Sequence, residues 1–327
     1  MRVAVIGSGS FGVALSCLLN NNGHSVKIWS RSDDEIRQIN EDRVMERYLP
    51  GLKIPDGIFA YKDMGVAVKD IDLVVLAVPS VAIRECSKNL SEYLTNQIIV
   101  NVAKGIEEAT LSRLSEVIYE ETKSKKIAIL SGPSHAEEVS KCMPTVVAVS
   151  SNDREICDIV SDVFMNEYFR VYPNDDLVGV ELGGALKNVI ALCAGVSDGL
   201  GFGDNTKAGL ITRGLAEITR LGVKMGGRQE TFSGLTGLGD LVVTCASVHS
   251  RNHRAGELIG KGYNPKDAVA EVKMVVEGVN TAKAALKLGE KYGVELPIIE
   301  QANKVLFENK NPKDAVLDLM VRTKKYE

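Results

Sequence analysis

Short, almost unbroken apolar runs alternate with longer amphipathic stretches through the first half of the chain. Residues 2–7 (RVAVIG), 25–29 (SVKIW), 72–78 (DLVVLAV), 97–102 (QIIVNV), 126–130 (KIAIL) and 145–149 (TVVAV) are apolar at nearly every position. Strands of this kind suit a parallel sheet covered on both faces, and the stretches between them are long enough to return as crossover helices. The pattern predicts an α/β, Rossmann-type, doubly wound and mostly parallel sheet. Near residue 175 the texture changes. Small-residue helical patterns then cover 176–198, 204–222 and several stretches from 251 onward, GVNTAKAALKLGEKYG being the clearest. We therefore expect a dinucleotide-binding domain over 1–175 and an all-helical substrate and catalytic domain over 176–327. A chain of 327 residues is long enough for both cores.

Composition narrows the function classes. Hydrophobic residues make up 45% and charged residues 25%, as in ordinary globular proteins, and no apolar run has the length of a membrane span. The first residues, MRVAVIGSGSFG, read as a first strand rather than a leader, so a cytoplasmic protein without membrane insertion is expected. With 39 Lys and Arg against 43 Asp and Glu, the net charge is −4, and no basic block invites nucleic acid. The 6 cysteines are scattered without Cys-x-x-Cys spacing, which fits a reducing compartment. His249 and His253 are spaced i, i+4 but lack a third ligand, so no metal site is expected.

The hexapeptide GSGSFG places Gly7, Gly9 and Gly12 in G-x-G-x-x-G spacing directly after the first strand, and it opens the helical SFGVALSCLLNNNG. The first glycine permits the tight turn, the second lets backbone N–H groups approach a pyrophosphate, and the third allows close helix packing. At the end of the second strand, where a chain devoted to NAD places an acid, IWSRSDDEI offers Ser30 and Arg31. Ser32 and Glu35 read as a capping box with Asp33 and Asp34 in the first helical turn. Arg31 is then available to a 2′-phosphate, which favours NADP(H) while leaving NAD(H) open.

Two further strand ends carry candidate chemistry. NVAKGIE sets Lys104 beside Gly105, and AILSGPSHAEEV sets Gly132, Pro133 and Ser134 in a tight connection. A solvated surface lysine and simple strand termination are the plain alternatives. In the second half, GGALKNVIALCAG (183–195) puts Lys187 on a helical face with Gly183, Gly184, Ala191, Ala194 and Gly195, so something must approach that backbone closely. GLTGLGDLVVTCAS brackets Asp240 with glycines, and HSRNHR places Ser250, Arg251 and Asn252 ahead of a helix, a sensible phosphate seat. Here too plain roles compete: Asp240 as a helix cap, Arg251 as a surface charge, Lys187 as a member of a buried ion pair.

Taken together, GSGSFG, RYLPG, NVAKGIE, SGPSHAEEV, ELGGALKNVIALCAGVSDGLGFGDNTKAGLITRGLAEITRLG and GLTGLGDLVVTCASVHSRN make the chain resemble the bacterial NAD(P)-dependent glycerol-3-phosphate dehydrogenases over essentially its full length. The resemblance implies reversible reduction of dihydroxyacetone phosphate, a phosphorylated triose, to sn-glycerol 3-phosphate for phospholipid synthesis. It implies that Lys187 donates and accepts the proton. It assigns Lys104, Gly132, Ser134, Asp240, Ser250, Arg251 and Asn252 to the substrate. Ser10, Phe11, Arg31, Tyr48, Ala136, Val275 and Glu277 go to the cofactor, with Lys104 and Arg251 reaching both. On this reading the small face around Lys187 leaves room for substrate or nicotinamide. A homodimer is the expectation for assembly. The rival enzyme is a β-hydroxyacid or 6-phosphogluconate type dehydrogenase, and a rival of another class is an NADPH-binding redox sensor without turnover.

Overall fold

A computed structural model describes residues 1–324 and 326. The chain packs as two compact units, Met1–Lys104 with Ser112–Glu181, and Gly105–Leu111 with Leu182–Glu327. The division falls a few residues inside the helix that starts at Leu177, and residues 105–111 join the second unit.

The first unit is built on one eight-stranded sheet: β1 (Arg2–Ile6), β2 (Ser25–Trp29), β3 (Ile58–Tyr61), β4 (Leu73–Leu76), β5 (Ile98–Asn101), β6 (Ile127–Ser131), β7 (Thr145–Ser151) and β8 (Phe169–Asn174). Their order is β3-β2-β1-β4-β5-β6-β7-β8, and every pairing is parallel except β6 with β7. Alternate residues of one strand enter different cores. Val3 and Val5 join Val26, Val75, Val100 and the buried residues of the first helix, Ser10–Asn21. Ala4 and Ile6 join Val74, Leu76, Ile99 and the helix Leu114–Thr122. Burial on both faces is why β1, β4, β5 and β6 are apolar at almost every position, whereas β2 alternates and keeps Ser25 and Lys27 on its less covered face.

Two strands lie outside the apolar runs. β3 pairs with β2 at one edge and β8 with β7 at the other, and both alternate buried with more exposed positions. An edge strand covered on one face needs only every second residue to be apolar, so its signal is weaker.

The order reverses between β1 and β4, the switch point at which open α/β sheets bind ligands beyond their carboxyl ends. The glycine-rich loop leaves β1 at that place. Gly7 N donates to Trp29 O at 3.0 Å and Ala77 N to Ile6 O at 2.9 Å. Gly7 has φ +118°, and a Cβ there would stand 2.7 Å from Ala77 O; one on Gly12 would collide with Gly7 O. The loop thus requires both glycines, one for its turn and one for the helix seated against it.

The second unit is helical among its described residues. Its longest helix, Leu177–Gly199, is long and apolar enough to cross a membrane, but 89% of its most apolar window is buried inside the protein. The apolar content that would pass for a span reflects burial on all sides. This helix packs directly on Arg251–Gly260. A Cβ on Gly195 would strike His253 O, one on Gly199 would strike Glu257 O, and the reciprocal positions Gly256 and Gly260 would strike Leu192 O and Val196 O. Each helix carries a G-x-x-x-G pair, and the two backbones touch along it.

The same unit holds a buried carboxylate at a helix start. Glu217, on Asp204–Lys224, accepts from Ile298 N at 2.8 Å and Ile299 N at 3.3 Å, the first free N–H groups of Pro297–Phe307. Burial pushes its carboxyl up to about 7. Because the folded pKa lies above the unfolded one, this group's contribution is most favourable below the unfolded value and declines as pH rises toward 7. The decline should be on the order of 3 kcal/mol. We expect denaturant unfolding of Glu217→Gln to lose this fall in stability between pH 5 and pH 8, and a slope equal to that of the unsubstituted protein would refute the assignment.

Candidate active site

In the second unit a lysine and an aspartate distant in sequence meet out of water. Lys187 Nζ lies 2.6 Å from Asp240 Oδ1 and donates to Thr244 Oγ1 at 2.5 Å. The lysine side chain is 6% exposed and the aspartate 2%. Asp240 reaches this place because the single π-helical turn Leu235–Gly239 runs directly into the helix Asp240–Ala246. It is the first α-helical residue after that turn, and its side chain points to the lysine. Thr244 stands one turn on, on the same face. Its hydroxyl also donates to Asp240 O at 2.5 Å, so it faces both members of the pair. Nothing in the chain's composition singles out Thr244; only its i+4 spacing from Asp240 could have drawn attention to it.

The neighbouring residue makes a second tie. Asn252 Nδ2 donates to Asn188 Oδ1 at 3.0 Å, and its Oδ1 accepts from Gly278 N at 2.8 Å. Ser250 caps the helix Arg251–Gly260 by accepting from His253 N at 3.2 Å, which puts half-buried Arg251 in its first turn. Glu277 opens the helix Glu277–Tyr292, with Val275 two residues before it. His253 Nε2 lies 2.7 Å from Asp198 Oδ2, which also pairs with Lys207 at 2.7 Å. Among the described residues no group of three or more potential ligands could hold a metal ion.

The small-residue face around Lys187 needs a correction. Gly183 and Gly195 do not leave space for a ligand. A Cβ on Gly183 would lie 2.8 Å from Thr236 O, and one on Gly195 would strike the backbone of His253 and Glu257. The close approach is made by the chain's own segments, those that bring in Asp240 and Asn252.

In the first unit, Lys104 Nζ donates to Gly132 O at 2.8 Å and Ser134 Oγ to the same oxygen at 3.0 Å. The two strand ends singled out in the sequence, Lys104 and the Gly132–Ser134 connection, therefore meet at one carbonyl. Gly132, at φ +140°, follows β6, and its Cβ would lie 3.0 Å from Val147 Cα. Ala136 begins the short helix Ala136–Val139.

The glycine-rich loop fits a dinucleotide. Gly9 is the N-cap of Ser10–Asn21, and a Cβ built on it would meet nothing within 4 Å, so the N–H groups of Ser10 and Phe11 can be approached by a phosphate. Arg31 is exposed just past β2. The capping box at 32–35 is only half formed. Ser32 Oγ accepts from Glu35 N at 3.3 Å, but the Glu35 carboxylate turns away to the hydroxyls of Ser8, Ser30 and Tyr48. Ser32 N is satisfied by Ser30 Oγ instead, at 3.1 Å.

Two family models span the chain, the NAD-dependent glycerol-3-phosphate dehydrogenase N-terminus over residues 2–157 and the C-terminus over 176–317. A glycerol-3-phosphate dehydrogenase [NAD(P)+] of Fusobacterium nucleatum is 55% identical over 100% of this chain and 98% of its own length, and one of Clostridium perfringens is 54% identical over 100% and 99%. Among solved structures, the glycerol-3-phosphate dehydrogenase of Coxiella burnetii superposes with a TM-score of 0.95 at 36% identity, covering 98% of this chain and 99% of that one. The yeast enzyme superposes at 0.83 with 26% identity. The chain belongs to the NAD-dependent glycerol-3-phosphate dehydrogenase family, NAD(P)-using oxidoreductases of CH–OH groups.

Proposed function

We propose that the chain interconverts dihydroxyacetone phosphate and sn-glycerol 3-phosphate, with NADPH ahead of NADH as the reductant. The buried Lys187–Asp240–Thr244 cluster is the observation that carries this reading. A nicotinamide held over the glycine-rich loop would supply or accept the hydride at the carbon bearing oxygen. Reduction leaves alkoxide character on that oxygen, which needs a proton and a cation close by. Lys187 Nζ supplies both. Asp240 and Thr244 fix where the ammonium stands, and the tie of Asn188 through Asn252 to Gly278 N fixes the start of the helix bearing Arg251. Arg251 and Asn252 receive the substrate phosphate. By the family resemblance Lys104, Gly132 and Ser134 are also assigned to the substrate, and Lys104 and Arg251 to the cofactor as well. Gly7, Gly9, Ser10, Phe11, Gly12, Arg31, Tyr48, Ala136, Val275 and Glu277 serve the cofactor. We place the enzyme in the cytoplasm, as a homodimer supplying phospholipid synthesis.

NADPH absorbance should fall when dihydroxyacetone phosphate is added and stay level with β-hydroxyacid substrates; no oxidation with the triose would refute the reading. Lys187→Ala should lower kcat by at least about a hundredfold with cofactor affinity nearly unchanged. It should also cost on the order of 3 kcal/mol of stability by leaving Asp240 without its ammonium. Adding Asp240→Asn should recover part of that stability and none of the turnover, so recovered turnover would remove Lys187 from the chemistry. Arg31→Ala should weaken NADPH binding more than NADH binding, and equal losses would end its assignment to the 2′-phosphate.

A further inference from the structure

At the carboxyl end of β2 the chain supplies an acid after all, from a place that strand-end spacing does not reveal. Glu35, on the helix Asp33–Arg37, folds its carboxylate back toward the strand end. Oε2 accepts from Ser30 Oγ at 2.8 Å and from Ser8 Oγ, and Oε1 accepts from Tyr48 Oη at 3.2 Å. Ser8 lies between the first two glycines of the loop, and Ser30 directly follows β2. Both serines are buried, at 4% and 2% exposure, and their hydroxyl oxygens lie 2.7 Å apart. Among the described residues, the carboxylate's hydrogen-bond partners are these three hydroxyls and it enters no ion pair. A half-buried negative charge held only by neutral donors keeps most of its field, unlike one neutralised by lysine or arginine.

We propose that Glu35 is a specificity-determining residue for the cofactor, setting the balance between NADH and NADPH against Arg31. This deepens the reading above, since it rests on the dinucleotide lying over the glycine-rich loop. In such folds an acid at the end of the second strand accepts from the ribose hydroxyls of NAD, and its charge opposes a 2′-phosphate. Here the two functions are divided between neighbours. The Glu35 carboxylate, which has more acceptor positions than its hydroxyl partners use, takes the ribose hydroxyl. The exposed Arg31 guanidinium takes the phosphate. A chain with both uses either cofactor, and removing either group tilts the balance in opposite directions.

The test compares dissociation constants of NADPH and NADH, read by nicotinamide fluorescence without substrate, for the unsubstituted chain and for Glu35→Gln. Glutamine keeps the length and an acceptor for the serine hydroxyls but removes the charge. The NADPH-over-NADH preference should rise by about tenfold, the scale of one partly screened charge acting on a phosphate. Glu35→Ala should move it the same way, the two serine hydroxyls then bonding to each other. Glu35→Asp, which keeps the charge on a shorter arm, should lie between glutamate and glutamine. Thermal unfolding followed alongside separates a structural role. A ratio unchanged in both the glutamine and alanine variants, whatever happens to the melting temperature, overturns the proposal. Because turnover is not the readout, inactivity toward dihydroxyacetone phosphate would refute the proposed reaction without touching this result.

Discussion

An ammonium group held away from water must be paired where it stands, and much of the second unit is organised around that requirement. Lys187 sits in the middle of a helix whose neighbours are nearly all apolar, and burying its charge alone would cost many kcal/mol. Asp240 removes most of that cost, but only if two helices hold a fixed register. The π-helical turn before Asp240 sets the direction of the acid, and Thr244 adds a hydroxyl from one turn on. Gly183 lets the backbone at Thr236 come within reach of the lysine helix. The amide of Asn252 locks the residue beside Lys187 to the start of a third helix. An interaction that is costly when incomplete thereby enforces the placement of three separate segments.

The first unit answers a different demand. The strands flanking its switch point, β1 and β4, are almost wholly apolar, and the polar groups of the candidate site gather in the loops beyond the carboxyl ends of the sheet. There the chain uses backbone groups and hydroxyls more than charges: the Gly132 carbonyl gathers Lys104 and Ser134, and Ser8, Ser30 and Tyr48 gather around Glu35. Burial of the Tyr48 phenol pushes its pKa up, the Glu35 charge adding to the effect, so Tyr48 stays a hydrogen-bond donor.

What could be read in the sequence follows from the same physics. β1, β4, β5 and β6 are legible because burial at almost every position keeps them nearly continuously apolar, whereas β3 and β8, half-covered at the edges, are not. The glycine loop was legible because its spacing is imposed by a turn and a close approach within one segment. Lys187, Asp240 and Asn252 stood out as polar residues in small or apolar company. That Asp240 would reach Lys187, and that Thr244 would join them, depends on how separate segments pack, which no local pattern encodes. Gly183 and Gly195 suggest space for a ligand but are filled by the chain's own backbone, since glycine records that something is close without saying what. Glu35 was masked by a local explanation, a capping box, that is correct for its backbone and wrong for its carboxylate.

The reciprocal glycines of Leu177–Gly199 and Arg251–Gly260 carry a consequence for how this protein can change. Most helix interfaces are cushioned by side chains, and a methyl gained on one side can be offset by a methyl lost on the other. Gly195, Gly199, Gly256 and Gly260 set main chain against main chain, with nothing between them to trim. Any added atom must displace a whole helix, and the helix displaced is the one that bears Lys187 or the one that bears Arg251 and Asn252. Variation in this part of the molecule therefore has no currency of volume in which to compensate, and drift in sequence is steered toward the outer faces of the same helices.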